Sequence, residues 1–306
     1  MKLLLLLCFV SSLIYSQNNI SSEKNNFIKI ADSLNFPEGP AWDGKENLYV
    51  SSCYGGFITK INDEKVSTFI DSTQKPFRLK QTNGLTFDKH GNIFACDYGI
   101  GAILKITPER ETSIYAEGFE GKKFNRPNDL AFDSSGNLYF TDLKSYGKDK
   151  PDGRVFRIDN LTKKITIAAE NLCFPNGIAF SIDGKKLFVC ESAQNRILSF
   201  DVDKKGLLKN KKIFIELEGG DPDGIAFDKQ GNLYAAHFGS GQIFIISSEG
   251  KIINTLIAPG KKPSNVEFGG SDLKTLFITE DETNSVYKLE VDVPGFPLFY
   301  SPIMNE

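Results

Sequence analysis

Phe174-Pro-Asn-Gly-Ile-Ala-Phe180 is one of six copies of a pattern that recurs 41 to 48 residues apart along this chain of 306 residues. The others are Phe36-Pro-Glu-Gly-Pro-Ala-Trp42, Gln81-Thr-Asn-Gly-Leu-Thr-Phe87, Arg126-Pro-Asn-Asp-Leu-Ala-Phe132, Asp221-Pro-Asp-Gly-Ile-Ala-Phe227 and Lys262-Pro-Ser-Asn-Val-Glu-Phe268. Four residues before each closing aromatic stands an oxygen-bearing side chain: Glu38, Asn83, Asn128, Asn176, Asp223 and Ser264. Repeats of this period signal a solenoid, a propeller or an array.

Each copy continues through a polar turn into a second apolar run, such as Asn92-Ile-Phe-Ala95 or Asn137-Leu-Tyr-Phe140, and then a third, such as Val155-Phe-Arg-Ile158. These are hairpin signals. A fourth run follows only five of the six third runs. The missing one lies at the other end of the chain, where Phe27 to Pro37 matches Ile165 to Pro175. The expectation is an all-β chain: a six-bladed β-propeller with four antiparallel strands per blade, the last blade completed by the N-terminal strand. Closure removes the unpaired edges of an open array. The expected organisation is a signal peptide over 1–16, a short linker over 17–26 and a single propeller over 27–306.

The first residues read as an export signal, with Lys2, an apolar stretch from Leu3 to Val10 and small residues before Gln17. A retained anchor is the alternative, although the apolar run is too short to span a bilayer. The expected location is therefore periplasmic or extracellular. The composition is 40% hydrophobic and 25% charged with net charge −3, which gives no basic excess for nucleic acid. No membrane span is expected in the mature chain, and a monomer is expected. Beyond Cys8, the four cysteines Cys53, Cys96, Cys173 and Cys190 lie in or beside apolar runs, which favours buried thiols over pairing.

In a propeller the first strand of each blade lines the channel, so the six oxygen-bearing positions form a ring. Four residues after each central Leu or Ile of the second strands stand Ser52, Asp97, Asp142, Glu191, His237 and Glu280. Antiparallel return places this second ring near the same mouth. Carboxylates, amides and a hydroxyl suit Ca²⁺. Zn²⁺ prefers nitrogen or sulfur, and the chain has only His90 and His237. Taken alone, Pro-Asn-Gly and Pro-Asp-Gly are also ordinary turn formers, but Glu38 in the same register is a poor turn residue. Arg126 is either a surface charge or a side chain reaching over the mouth. Asp142, His237 and Glu280 read as channel wall, structural or supporting residues, and Asn83 and Ser264 as wall or water contacts. No nucleophile elbow, phosphate loop or His-Glu-x-x-His occurs.

At these residues the chain resembles the SMP-30/gluconolactonase/regucalcin family, related to diisopropyl-fluorophosphatase. The stretches carrying the resemblance are Pro37-Glu-Gly-Pro40, Asn125-Arg-Pro-Asn-Asp129, Gly136-Asn-Leu-Tyr-Phe-Thr-Asp142, Phe174-Pro-Asn-Gly177 and Pro222-Asp-Gly224. The resemblance implies a channel cation, usually Ca²⁺, held by Glu38, Asn128, Asn176 and Asp223. It also implies Arg126 and Asn128 as contacts to substrate hydroxyls. Glu280 stands where the fluorophosphatase branch carries a histidine, and Ala226 replaces an acidic residue of that branch's second ion.

The expected activity is calcium-dependent opening of a sugar lactone, with Asp223 holding the ion and orienting or deprotonating water. Zn²⁺ or Mn²⁺ are alternative ions. The rivals are a non-catalytic binding propeller and a phosphotriester or fluorophosphate hydrolase at the same ion. The loops 75–80, 119–125 and 144–152 carry no readable substrate code.

Overall fold

The computed structural model describes residues 25–63, 65–73 and 79–305. The expected signal peptide, most of the linker and most of the loop 75–80 lie outside the described residues. Six four-stranded antiparallel sheets follow one another around a ring. Blades 1 to 5 span residues 37–71, 82–116, 126–172, 175–216 and 221–257 in chain order. Blade 6 takes three strands from 263–290 and its outer strand, Ile28–Ala31, from the N-terminal side, paired antiparallel with Ser285–Glu290. The chain therefore closes its own ring, as the repeat arithmetic predicts.

The closing aromatic of each repeat is the peg that joins blades. Phe87 packs on Tyr49, Phe132 on Phe94, Phe180 on Tyr139, Phe227 on Phe188 and Phe268 on Tyr234, each with ring centroids 4.9–5.4 Å apart. In every case the partner is the aromatic of the preceding blade's second strand. Trp42 stacks on Phe277 at 5.7 Å and makes the same joint between blades 6 and 1. Such edge-to-face and stacked pairs contribute about 0.5–1.5 kcal/mol each beyond burial of their area.

The hairpin after each peg has a local cause. Asp88 Oδ1 accepts from the backbone N–H groups of His90 and Asn92, and its Oδ2 accepts from Asn92 Nδ2 at 2.8 Å. Asp133 with Asn137 and Asp228 with Asn232 repeat the arrangement. A short carboxylate that bonds backbone amides two and four residues on fixes the turn.

A C-terminal strap beyond the last strand was not foreseen. Phe296 N–H donates to Phe227 O, and Pro294 O accepts from Lys229 N–H, each at 2.8 Å. Phe296, Leu298 and Phe299 line a cavity of about 60 Å³ at the far ends of the inner strands, beside Phe132, Phe180 and Phe227. That end of the channel is covered, which leaves the end where the inner strands begin as the way in. Cys53, Cys96, Cys173 and Cys190 are all buried free thiols. Among the described residues no helix is long and apolar enough to cross a membrane.

Candidate active site

Every inner strand breaks its register at the repeat motif. Pairing with the second strand skips between Glu38 and Ala41, Thr82 and Leu85, Pro127 and Leu130, Pro175 and Ile178, Pro222 and Ile225, and Pro263 and Asn265. Such irregularities re-aim side chains at barrel and propeller rims. They fall at the six oxygen-bearing positions, so the motifs are kinked strand and not turns.

The glycine that follows the site residue has a packing reason. A Cβ on Gly177 would lie 2.1 Å from Asp223 O, and one on Gly39, at φ +50°, 2.3 Å from Asn83 O. At these two positions adjacent inner strands approach too closely for a side chain. That approach draws the ring tight around the hub.

Five of the six ring residues, Glu38, Asn83, Asn128, Asn176 and Asp223, line one cavity of about 200 Å³, and Arg126 lines it too. Ser264 takes a different role: its hydroxyl donates to Pro37 O and pairs with Thr279 Oγ1, both at 2.8 Å, which staples blade 6 to blade 1. Thr141 to Asn176 O and Ser192 to Pro222 O, also at 2.8 Å, are the equivalent staples around the ring.

The second ring does not line this cavity. Its side chains clamp the backbone that leads into each inner strand. Asp142 Oδ1 accepts from Arg126 N–H at 2.7 Å, Asp97 Oδ2 from Lys80 N–H at 2.8 Å and Glu280 Oε1 from Lys262 N–H at 2.8 Å. Glu191 accepts from Cys173 N–H at 2.8 Å and from Arg196 Nε, and Ser52 Oγ from Asn35 N–H at 2.8 Å. His237 Nε2 meets Leu217 O at 3.2 Å and Nδ1 meets Ser240 Oγ at 2.7 Å, so both ring nitrogens are engaged. Burial lowers its proton affinity. Asp142 therefore supports the site by holding the Arg126 backbone.

The hub is charge-frustrated. Burial first, and then neighbouring carboxylates, raise the proton affinities of Glu38 and Asp223. Asp129 and Asp281 add to that field. Asp129 bridges blades 3 and 4, accepting from Leu130 N–H at 2.9 Å and Ile178 N–H at 3.2 Å. Burial lifts its carboxyl to about 7. Both carboxylate oxygens of Asp281 are buried without a hydrogen-bond partner, and so is Asn128 Oδ1.

This donor set fits a hard divalent cation. Two buried carboxylates, Glu38 and Asp223, share the cavity with three amides, and one amide oxygen is orphaned, so a cation would offset the repulsion and satisfy the oxygen. Among the described residues no three His, Cys, Asp or Glu side chains gather in metal-binding geometry, so amide oxygens are needed to complete a shell.

Asp281 stands outside the cavity lining and offers a separate check. Its carboxyl is held above the usual range by burial and by Glu38 and Glu280. The unfolded chain ionises this group at the ordinary aspartate value and the folded one resists, so stability falls as pH rises above that value. Asp281→Asn should raise Tm by roughly 5 °C at pH 8 and change it little at pH 4. Thermal melts at the two pH values would expose a wrong assignment by showing no difference.

Phe36, Phe174 and Asp221 line the cavity and were missed by the ring reading; like Arg126, which was expected at the mouth, they occupy the position two before the site residue in their repeats. The signal was available, because residues two apart on a strand share a face. Tyr98, Leu143, Ser192 and Phe238 also line it, each directly after the second-ring residue of its blade, and Tyr54 lines it two residues after Ser52.

The SMP-30/Gluconolactonase/LRE-like region family matches residues 36–281. The chain belongs to that family. A lactonase, drp35, of Staphylococcus haemolyticus is 30% identical over 247 residues, covering 77% of this chain and 73% of that protein. A 6-deoxy-6-sulfogluconolactonase of Pseudomonas putida is 29% identical over 170 residues, 50% of this chain and 58% of that enzyme. Among solved structures, a gluconolactonase of Xanthomonas campestris superposes with a TM-score of 0.76 at 25% identity, covering 88% of this chain and 89% of that one. The chain spans 57% and 58% of the length of two of the curated relatives it matches. Within the family, this member brings five of its six repeat-position oxygen donors to one cavity.

Proposed function

We propose that this family member hydrolyses lactones at a divalent cation, Ca²⁺ by its donor chemistry, held by Glu38, Asn128, Asn176 and Asp223. The observation that carries the reading is the convergence of these four side chains with Arg126 on one cavity. A cation bound there supplies polarisation of an ester carbonyl and offsets negative charge as water adds to it.

The chain's own residues do the rest. Asp223 orients the attacking water and accepts its proton. Arg126 is exposed at the cavity rim, and no ion pair among the described residues engages its guanidinium. It donates to substrate oxygens, and Asn83 offers a second donor. Water's oxygen joins the carbonyl carbon, the ring C–O bond breaks, and the leaving oxygen takes a proton to give a hydroxy acid.

The test uses chelated protein, calcium-reloaded protein and a lactone panel. Chelation should abolish turnover and Ca²⁺ should restore it, and full turnover after chelation would exclude the reading. Stability supplies a second readout. Glu38 is raised from 4.5 to about 8 by burial and by Asp129, so the chelated fold is penalised progressively as pH rises through that window. Calcium at a thousand times its Kd adds about 4 kcal/mol, or roughly 10 °C in Tm for a domain of this size. The shift should be larger at pH 8 than at pH 5.

A further inference from the structure

We infer that the substrate is a lactone carrying an apolar aryl or alkyl substituent, taken up in a slot between Phe36 and Phe174, and not a bare polyhydroxy lactone. The inference rests on the lactonase reading and names its substrate class.

Phe36 leads into blade 1 and Phe174 into blade 4, so they flank the mouth from opposite sides of a six-bladed ring, and both line the cavity. Both hold a left-handed backbone, at φ +61° and +59°. A bulky residue there is an outlier, and each precedes a proline, which favours extended backbone instead. The equivalent residues Gln81, Arg126, Asp221 and Lys262 do not share it. The strained conformation is held by Cys53 N–H to Phe36 O at 2.9 Å, Asn284 Oδ1 accepting from Phe36 N–H at 3.1 Å, and Ser192 N–H to Phe174 O at 3.2 Å. Strain kept at a cavity rim points to a positional task for the side chain.

The slot continues outward as aromatic wall. Phe36 lies 4.7 Å from Tyr54 and 6.3 Å from Phe238, and Phe174 lies 5.1 Å from Tyr146, ring centroid to ring centroid. Tyr54 and Tyr146 are 52% and 60% exposed, which leaves apolar surface free for a ligand. Some of the polar groups nearby are already engaged. The Tyr146 hydroxyl is spent on Asp221 at 2.9 Å, and the Ser192 hydroxyl on Pro222 O at 2.8 Å. With four side chains assigned to the cation, the polar side chains left on the wall are Arg126, Asn83, Asp221, Tyr54 and Tyr98. A polyol seated between the Phe36 and Phe174 rings would turn hydroxyls onto apolar faces there and leave them without partners, which opposes binding.

The experiment compares kcat/KM of calcium-loaded full-length protein for δ-decalactone and δ-phenyl-δ-valerolactone against glucono-δ-lactone. The apolar pair should exceed the sugar lactone by at least about tenfold, equivalent to 1.4 kcal/mol in transition-state binding. Phe36→Asn and Phe174→Asn, which tolerate left-handed backbone and so preserve folding, should each lower that ratio about tenfold through KM. A preference for the sugar lactone, or a ratio unmoved by both substitutions, would overturn the inference while leaving the lactonase reading intact. Titration calorimetry with an alkyl-substituted δ-lactam covers the remaining case. Phe36-dependent lactam binding without turnover of any lactone upholds the slot and removes the lactonase reading, and neither binding nor turnover removes both.

Discussion

Asp223→Asn should lower lactone turnover by about a thousandfold and abolish tight calcium binding, with the circular dichroism of the propeller unchanged. In the proposed mechanism the substitution keeps size and one oxygen but removes the buried charge that would hold the cation and the base that would take water's proton. The same change relieves repulsion with Glu38, Asp281 and Asp129. The chelated variant should therefore melt at or above the chelated parent at pH 8, which separates a chemical defect from a folding defect. Calcium titration by calorimetry, melts and lactone turnover read the three effects independently. Retention of both calcium affinity and turnover would remove Asp223 from the site.

Removing residues 1–34 should destroy cooperative folding. The strand Ile28–Ala31 is the outer strand of blade 6, and Ala31 and Leu34 pack with Val50, Ile61, Phe277 and Val286 where blades 6 and 1 meet. Leu34 N–H also donates to Asn284 O at 3.1 Å. Losing this strand forfeits its apolar burial and exposes an unpaired edge on Ser285–Glu290, a cost on the order of 5 kcal/mol. That is comparable with the whole stability of an ordinary domain. Leu34→Ala is the milder version, expected to cost about 2–4 kcal/mol in denaturant melts. A truncated chain that still melted sharply at the parental temperature would show that the ring is closed by the blade 6 to blade 1 interface alone.

How much was legible in the chain can be argued from particular residues. The repeat spacing, the strand alternation and the displaced fourth strand at Phe27 to Pro37 are local patterns, and they led to the ring, the N-terminal closure and the inward oxygen donors. The periodicity also held Phe36, Phe174 and Asp221 at channel-facing positions, two residues before the site residue. They were passed over because an aromatic two before a site residue reads as core as readily as wall.

Other features depend on how distant segments meet. Ser264 occupies the same register as true cavity residues, and the second-ring carboxylates belong to the same mouth by sequence, yet their oxygens turn to backbone N–H groups or neighbouring blades. Composition does not distinguish a carboxylate that clamps a strand from one that faces a ligand. The register break in each strand, and the loop that folds back over it, make that choice. The C-terminal strap across the far end of the channel, the unpartnered carboxyl of Asp281 and the left-handed phenylalanines at the mouth likewise have no one-dimensional signature. Period and polarity along a strand are set by neighbours in the chain, and they determined the architecture. Direction, burial and charge crowding arise only when six separate blades are drawn against one axis, so the tertiary structure alone decided the chemistry of the site.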